Sequence, residues 1–249
     1  MKVIITMAGM GSRFRKIGID KPKHEIVANG KTLFEWSLKS LTEFFNDEFI
    51  FIVRKDNYHR PTLTAIIEQL GIQKFHFVEV SELTDGQART VLAAGPLMNA
   101  NDDFVIYNID TYVKEGNLRR DEMTKFAGFI PSFVAQGSQW SFIKVDEQTD
   151  TIIEIAEKVR ISNLGTLGLY YFSSWKVYCD IIKEHADEII VTSRELYVAP
   201  MYKYLIDASA KLGYSVIDEN EIINLGTPDE VIMFDKNYLQ ENLGRTNEL

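Results

Sequence analysis

The chain has 249 residues, 45% of them hydrophobic and 25% charged, enough to bury a core and too ordinary a balance for bulk disorder. One cysteine excludes a disulfide scaffold and any multi-cysteine zinc module, and the four histidines, His24, His59, His76 and His185, show no paired ligand spacing. A net charge of −9 argues against nucleic acid as a partner, and no apolar run approaches the length of a membrane span. The apolar start is short and runs straight into glycines, unlike a secretion signal, so the expected setting is the cytoplasm.

In chain order, residues 3–7 form a short β-branched run that reads as a buried strand, followed by a glycine loop at 9–12. Residues 32–45 carry a helical apolar stripe with Thr32 and Glu35 spaced as a capping box. Strands are expected at 49–53, 75–80 and 104–109, the last ending at Asp110, with helices at 61–70 and 87–94 between them. Strand–helix alternation predicts an α/β open sheet with mostly parallel strands. The second half changes rhythm: an antiparallel pair at 140–145 and 151–155, a strand at 167–172, helices at 174–186 and 194–212, a strand at 214–217 and a last helix to about 240. The stretch 115–139, with Gly116, Gly128, Pro131 and Gly137, reads as a surface excursion.

Three places carry candidate chemistry. Ala8-Gly9-Met10-Gly11-Ser12-Arg13 puts bare backbone N–H groups and an arginine at the carboxyl edge of the sheet, where α/β folds bind phosphates. The dinucleotide fingerprint fails because Phe14 takes the third glycine position, and Gly30-Lys31-Thr32 is no P-loop because Glu25 stands where its first glycine belongs. From Arg13 to Lys31 six basic residues face only Asp20 and Glu25, a local +4 in an acidic chain, as an anionic ligand requires. Asp110, at the end of a buried strand near this loop, suits Mg²⁺, although the same carboxylate could simply cap the next turn.

Taken in order, these residues resemble the nucleotidylyltransferases that make NDP-sugars. The resemblance rests on Ala8-Gly9-Met10-Gly11-Ser12-Arg13-Phe14, Pro22-Lys23, Gly30-Lys31-Thr32-Leu33-Phe34, Gly86-Gln87-Ala88, Asp110, Glu157-Lys158, Ser162-Asn163, Gly168-Leu169-Tyr170 and Gly226-Thr227-Pro228, and it spans nearly the whole chain. It implies a Rossmann-like open mixed sheet with helices on both faces and a smaller antiparallel, acceptor-binding part. The whole chain would be one domain, with about 1–112 the nucleotide half and about 113–249 the acceptor half.

By position, the resemblance implies that Ala8, Gly9, Gly11, Ser12 and Arg13 hold the triphosphate of an NTP and that Lys23 neutralises charge at the α-phosphate. Gly86 and Gln87 would read the base, for which a pyrimidine is expected. Asp110 would hold Mg²⁺. Glu157, Asn163 and Gly168 would meet the hydroxyls of a phosphorylated acceptor, and Lys158 its phosphate. The family often has a second metal-binding Asp before the late Gly-Thr; here Asn224 stands in that place, with Asp218 as another group that could reach in. Arg13, Lys23 and Asp110 are the catalytic candidates, for a reaction that needs positioning and charge neutralisation rather than a general base. Three alternatives stay open from the residues: a cytidylyltransferase for a non-sugar phosphate ester such as phosphocholine, an NDP-sugar-using glycosyltransferase, whose D-x-D is here Asn108-Ile109-Asp110, and an inactive NTP-binding regulator.

Overall fold

The computed structural model describes residues 1–243. One ten-stranded sheet is built from β1 (Lys2–Thr6), β2 (Glu48–Arg54), β3 (Phe75–Val80), β4 (Phe104–Tyr107), β5 (Gly128–Val134), β6 (Ser141–Asp146), β7 (Thr151–Glu157), β8 (Leu164–Thr166), β9 (Leu169–Phe172) and β10 (Leu212–Ile217). Its order is β7-β6-β8-β5-β9-β4-β1-β2-β3, with β10 paired to β5. β1 runs parallel between β2 and β4, with Val3 opposite both Phe49 and Val105. β9 returns antiparallel to β4, and β6 and β7 form the expected antiparallel pair.

The central strands are apolar on both sides because both sheet faces are covered. Val3, Ile5, Phe51 and Val105 point to one face and pack with Phe34, Leu38 and Leu63. Ile4, Ile50, Ile52 and Ile106 point to the other and pack with Val91, Trp175 and Tyr178. A third apolar cluster joins Phe14, Ile19, Ile26 and Leu33 to Leu225, Val231 and Tyr238. It clamps the segment carrying Arg13 and Lys23 against the far end of the chain. No helix among the described residues is long and apolar enough to cross a membrane.

The surface excursion expected at 115–139 is wrong at its centre: β5 lies inside the sheet and is buried from Gly128 to Phe133. Gly128 sits in a strand because a side chain there would meet Tyr202, Leu205 and Leu212 at 2.8–3.2 Å. Pro131 falls opposite the Leu167–Gly168 break between β8 and β9, where Leu167 donates its N–H to the Pro131 carbonyl, so its missing donor costs no regular ladder bond.

Two helices are shorter than their apolar stripes. The expected 32–45 helix stops as Leu33–Lys39 and gives way to a 3₁₀ turn, Thr42–Phe44. Thr32 accepts from the Glu35 N–H at 3.1 Å, but the Glu35 carboxylate turns to Lys31 at 3.0 Å, so that capping box is half made. The complete box is at Thr227 and Glu230, opening the helix Pro228–Phe234. The expected 194–212 helix survives only as Ala199–Met201 and Tyr202–Asp207, because the preceding residues bond to the Gly86 loop instead. The helix before it runs further than expected, Trp175–Ser193.

Candidate active site

The carboxyl ends of β1 and β4 open onto one cleft made of three adjoining cavities, all lined by Asn108 and Asp110. The turn bearing Asp110 is pinned from beneath. Ser37 Oγ donates to the Asn108 carbonyl at 2.7 Å, Tyr107 Oη donates to the Thr111 carbonyl at 2.9 Å, and the Val113 N–H donates to Ser40 Oγ at 2.9 Å. The Leu225 N–H donates to the Asp110 carbonyl at 2.8 Å, tying in the Ile222–Asn224 strand that pairs with Thr111–Val113. Asp110 therefore stands on a fixed platform while its carboxylate faces the cleft.

The first cavity, about 300 Å³, is lined by Gly9, Gly11, Ser12, Arg13, Lys23 and Asp110 among others. The Lys23 ammonium donates to Asp110 Oδ2 at 2.8 Å and lies 5.6 Å from the centre of the Phe14 ring. Arg13 Nη1 reaches the Gly226 carbonyl at 3.4 Å. His24 is buried beside Lys23, its Nε2 finds no partner, and burial pulls its pKa down to about 4.

The second cavity, about 460 Å³, runs from Arg13 and Asp110 to Trp140, Ser141, Glu157, Gly168 and Tyr170. Glu157 is almost wholly buried; Ser141 Oγ donates to its Oε2, and its Oε1 lies 3.3 Å from the Lys158 ammonium. Burial drives the Tyr170 hydroxyl pKa up to about 12, so it stays protonated, 3.0 Å from Thr166 Oγ1. Gly168 has φ +81°, and a side chain there would collide with Asn108 Nδ2.

The third cavity, about 590 Å³, holds Ala8, Gly9, Gly86, Gln87, Thr90, Arg194 and Glu195. Gly86 has φ +149°, and a Cβ there would stand 2.5 Å from the Leu196 backbone. That close approach lets Leu196 bond on both sides, its N–H to the Asp85 carbonyl at 2.8 Å and its carbonyl to the Ala88 N–H at 3.0 Å. The Gln87 amide is already half engaged, donating to Thr6 Oγ1 at 3.0 Å.

Three expected groups, Asn163, Asp218 and Lys158, lie outside these cavities. Asn163 is exposed, with its Oδ1 accepting from Arg160 at 2.9 Å. Asp218 caps the Glu219–Glu221 turn through the Asn220 N–H at 2.9 Å. Lys158 does not line the second cavity but follows Glu157, which does, and its ammonium lies against Tyr197, 2.9 Å from the hydroxyl and 4.4 Å from the ring centre. Desolvation works against its charge, yet the Tyr197 hydrogen bond and Glu157 hold its pKa above the ordinary value. Glu230 also lines the second cavity; its one sequence signal is the Thr-x-x-Glu spacing after Gly226, which marks a helix-opening carboxylate. A Cβ at Gly226 would stand 3.3 Å from Glu230 Oε2, 3.6 Å from Asp110 Oδ2 and 3.9 Å from Arg13 Nη1, so these three groups gather around the bare glycine.

Among the described residues no three His, Cys, Asp or Glu side chains form a metal cage. Asp110 and Asn224 line the second cavity and offer oxygen donors, one of them charged. Such a set fits Mg²⁺, which keeps waters and takes further ligands from phosphate oxygens.

No family model matches the chain. Among solved structures, the nucleoside-diphosphate-sugar pyrophosphorylase from Vibrio cholerae RC9 superposes with a TM-score of 0.86 at 33% identity, covering 95% of this chain and all of that one. The chain belongs to the nucleoside-diphosphate-sugar pyrophosphorylase family of nucleotidyltransferases. The same fold recurs in the inositol-1-phosphate CTP transferase from T. maritima, with a TM-score of 0.72 at 16% identity over 96% of both chains. The bifunctional protein GlmU of Methanocaldococcus jannaschii is 25% identical over 174 residues, 69% of this chain. This pyrophosphorylase-family chain spans only 40% of that relative's length.

Proposed function

We propose that the chain joins an NTP to a sugar phosphate, giving an NDP-sugar and pyrophosphate. What carries this reading is the continuity of the cleft: Arg13, Asn108 and Asp110 line both the glycine-loop cavity and the Glu157 cavity or stand at their junction. Two anionic reactants placed in those cavities would meet where the cations are.

In this reaction a phosphate oxygen of the acceptor forms a bond to the α-phosphorus of the NTP. The bond from that phosphorus to the bridging oxygen breaks on the opposite side, and pyrophosphate leaves with its electron pair. The acceptor oxygen is already ionised, since a phosphate monoester has its second pKa near about 6, so no side chain need remove a proton. The difficulty is repulsion between the two phosphates in a cleft of reduced dielectric. Arg13 and the glycine-loop N–H groups of Gly9, Gly11 and Ser12 hold the triphosphate, with Ala8 and Gly9 continuing into the base cavity. Lys23 leaves Asp110 for the α-phosphate as the reactants enter. Glu157 and Gly168 receive the acceptor's hydroxyls and Lys158 its phosphate, and Gly86 and Gln87 face the base. Asp110 and Asn224 would hold Mg²⁺, which supplies charge neutralisation at the phosphates when bound. A pyrimidine is the proposed base, since the Gly86–Gln87 turn that lines the third cavity is short and held close against the Leu196 backbone.

A thermal-shift screen of the five common NTPs, with and without Mg²⁺, tests the nucleotide half directly. Ligand binding to the native state raises stability by mass action. One NTP should raise the melting temperature, more so with Mg²⁺; no shift from any of the five would remove the nucleotide reading.

A further inference from the structure

Arg194 and Glu195 line the base cavity, and Tyr197, two residues on, meets Lys158, whose ammonium lies 3.3 Å from Glu157 of the acceptor cavity. Leu196 is fully buried and bonded on both sides to the Gly86 loop; the next residue, Tyr197, carries the Lys158 ammonium on its hydroxyl and ring face. Val198, on the other side of Tyr197, is also buried, so the ring is rooted between two fixed neighbours. Lys158 itself is constrained: φ is +55°, and its N–H donates to the Trp140 carbonyl at 3.0 Å.

An ammonium has three N–H donors. Tyr197 Oη takes one at 2.9 Å and Glu157 Oε1 lies within 3.3 Å for a second, which leaves one for a ligand. A free lysine side chain would lose considerable rotamer entropy on gripping a phosphate, and here most of that freedom is already removed by Tyr197 and Glu157. We infer that Tyr197 is a positioning residue: it holds Lys158 ready for the acceptor's phosphate and links that grip to the loop that faces the nucleotide base. This inference rests on the role proposed for Lys158 above.

The test uses the full chain with Tyr197→Phe, which keeps the ring and removes the hydroxyl, and Tyr197→Leu, which removes both. Acetylation of Lys158 by acetic anhydride, followed by mass spectrometry with Lys144 and Lys183 as internal references, reads the contact without any turnover. Both variants should accelerate labelling of Lys158 severalfold relative to the references, and inorganic phosphate should protect it less than in the parent. An unchanged Lys158 rate in both variants would overturn the proposal. Steady-state assays with glucose 1-phosphate and the NTP selected by thermal shift give the second readout. Tyr197→Phe should raise the acceptor KM about tenfold, as expected for losing a hydrogen bond to a charged group, with the NTP KM little changed. In a Lys158→Ala background the same change should add nothing; an equal further rise there would also overturn it. If Lys158→Ala alone leaves the acceptor KM at the parental value, the fault lies in the role given to Lys158, whatever the labelling shows.

Discussion

Lys23 and Asp110 lie 87 residues apart in sequence and 2.8 Å apart in space, one from the segment clamped by the third apolar cluster and the other from the end of β4. The pair sits at the meeting of the glycine-loop cavity and the acceptor cavity. Each neutralises the other across the cleft, and on the proposed reading an incoming triphosphate would offer Lys23 a stronger partner.

Lys23→Ala should therefore lower turnover by about 10²-fold or more, the scale seen when a group stabilising developing charge is lost. Its effect on folding should be small, because Asp110 is 32% exposed to the cleft and stays hydrated when the 16%-exposed Lys23 side chain is removed. Steady-state pyrophosphate release together with thermal melting checks both halves; parental turnover in a folded variant would take Lys23 out of the mechanism.

The metal dependence should respond to two positions in opposite senses. Asp110→Ala should abolish the response to Mg²⁺, whereas Asn224→Asp, which puts a second carboxylate beside the cleft, should lower the Mg²⁺ concentration for half-maximal rate by about tenfold. A Mg²⁺ titration of each variant reads this. A parental Mg²⁺ response in Asp110→Ala would show that the ion is held elsewhere.

Gly86→Ala should destabilise the fold by about 1–3 kcal/mol, the range for forcing an added methyl into a packed site. Its Cβ would have to stand 2.5 Å from the Leu196 backbone, at a φ of +149°. Chemical denaturation should show the loss, and NTP-induced thermal shifts should shrink with it. An Ala variant of parental stability would mean that the Gly86 and Leu196 backbones do not approach as described.

How much of this could be read from the chain follows from how local each signal is. The glycine loop after β1 and the terminal Asp110 of β4 are contiguous patterns, and a sequence carries those openly. β5 was concealed because Gly128 and Pro131 are ordinary breakers, and only the packing of Tyr202 on Gly128 and the gap between β8 and β9 opposite Pro131 make a strand of them. The Tyr197–Lys158 contact spans 39 residues and has no motif, so nothing along the chain announces it. Glu230 is visible through its Thr-x-x-Glu spacing, but its nearness to Asp110 depends on how the helix Pro228–Phe234 docks.

Acid should weaken the fold through His24. Its pKa falls from 6.5 to about 4 on burial, so the folded state favours the neutral ring. Stability from this group is complete above pH 6.5 and is lost as pH falls through 4, a total of about 3 kcal/mol at roughly 1.4 kcal/mol per unit. Denaturant titrations between pH 7 and pH 4 should show this slope, and His24→Leu should flatten it; an equally steep slope in that variant would place the acid sensitivity in other groups.

The central claim is that one cleft brings an NTP and a phosphorylated acceptor together at Lys23 and Asp110. The most direct measurement is ³¹P NMR of the protein with Mg²⁺, the NTP that stabilises it and a panel of sugar 1-phosphates, one of them labelled with ¹⁸O in its phosphate. The account predicts equal amounts of pyrophosphate and a new diphosphate that retains the label on the acceptor's phosphorus, with both signals collapsing in Lys23→Ala. An NTP that binds but yields no pyrophosphate with any acceptor, or product formed undiminished by Lys23→Ala, would contradict it.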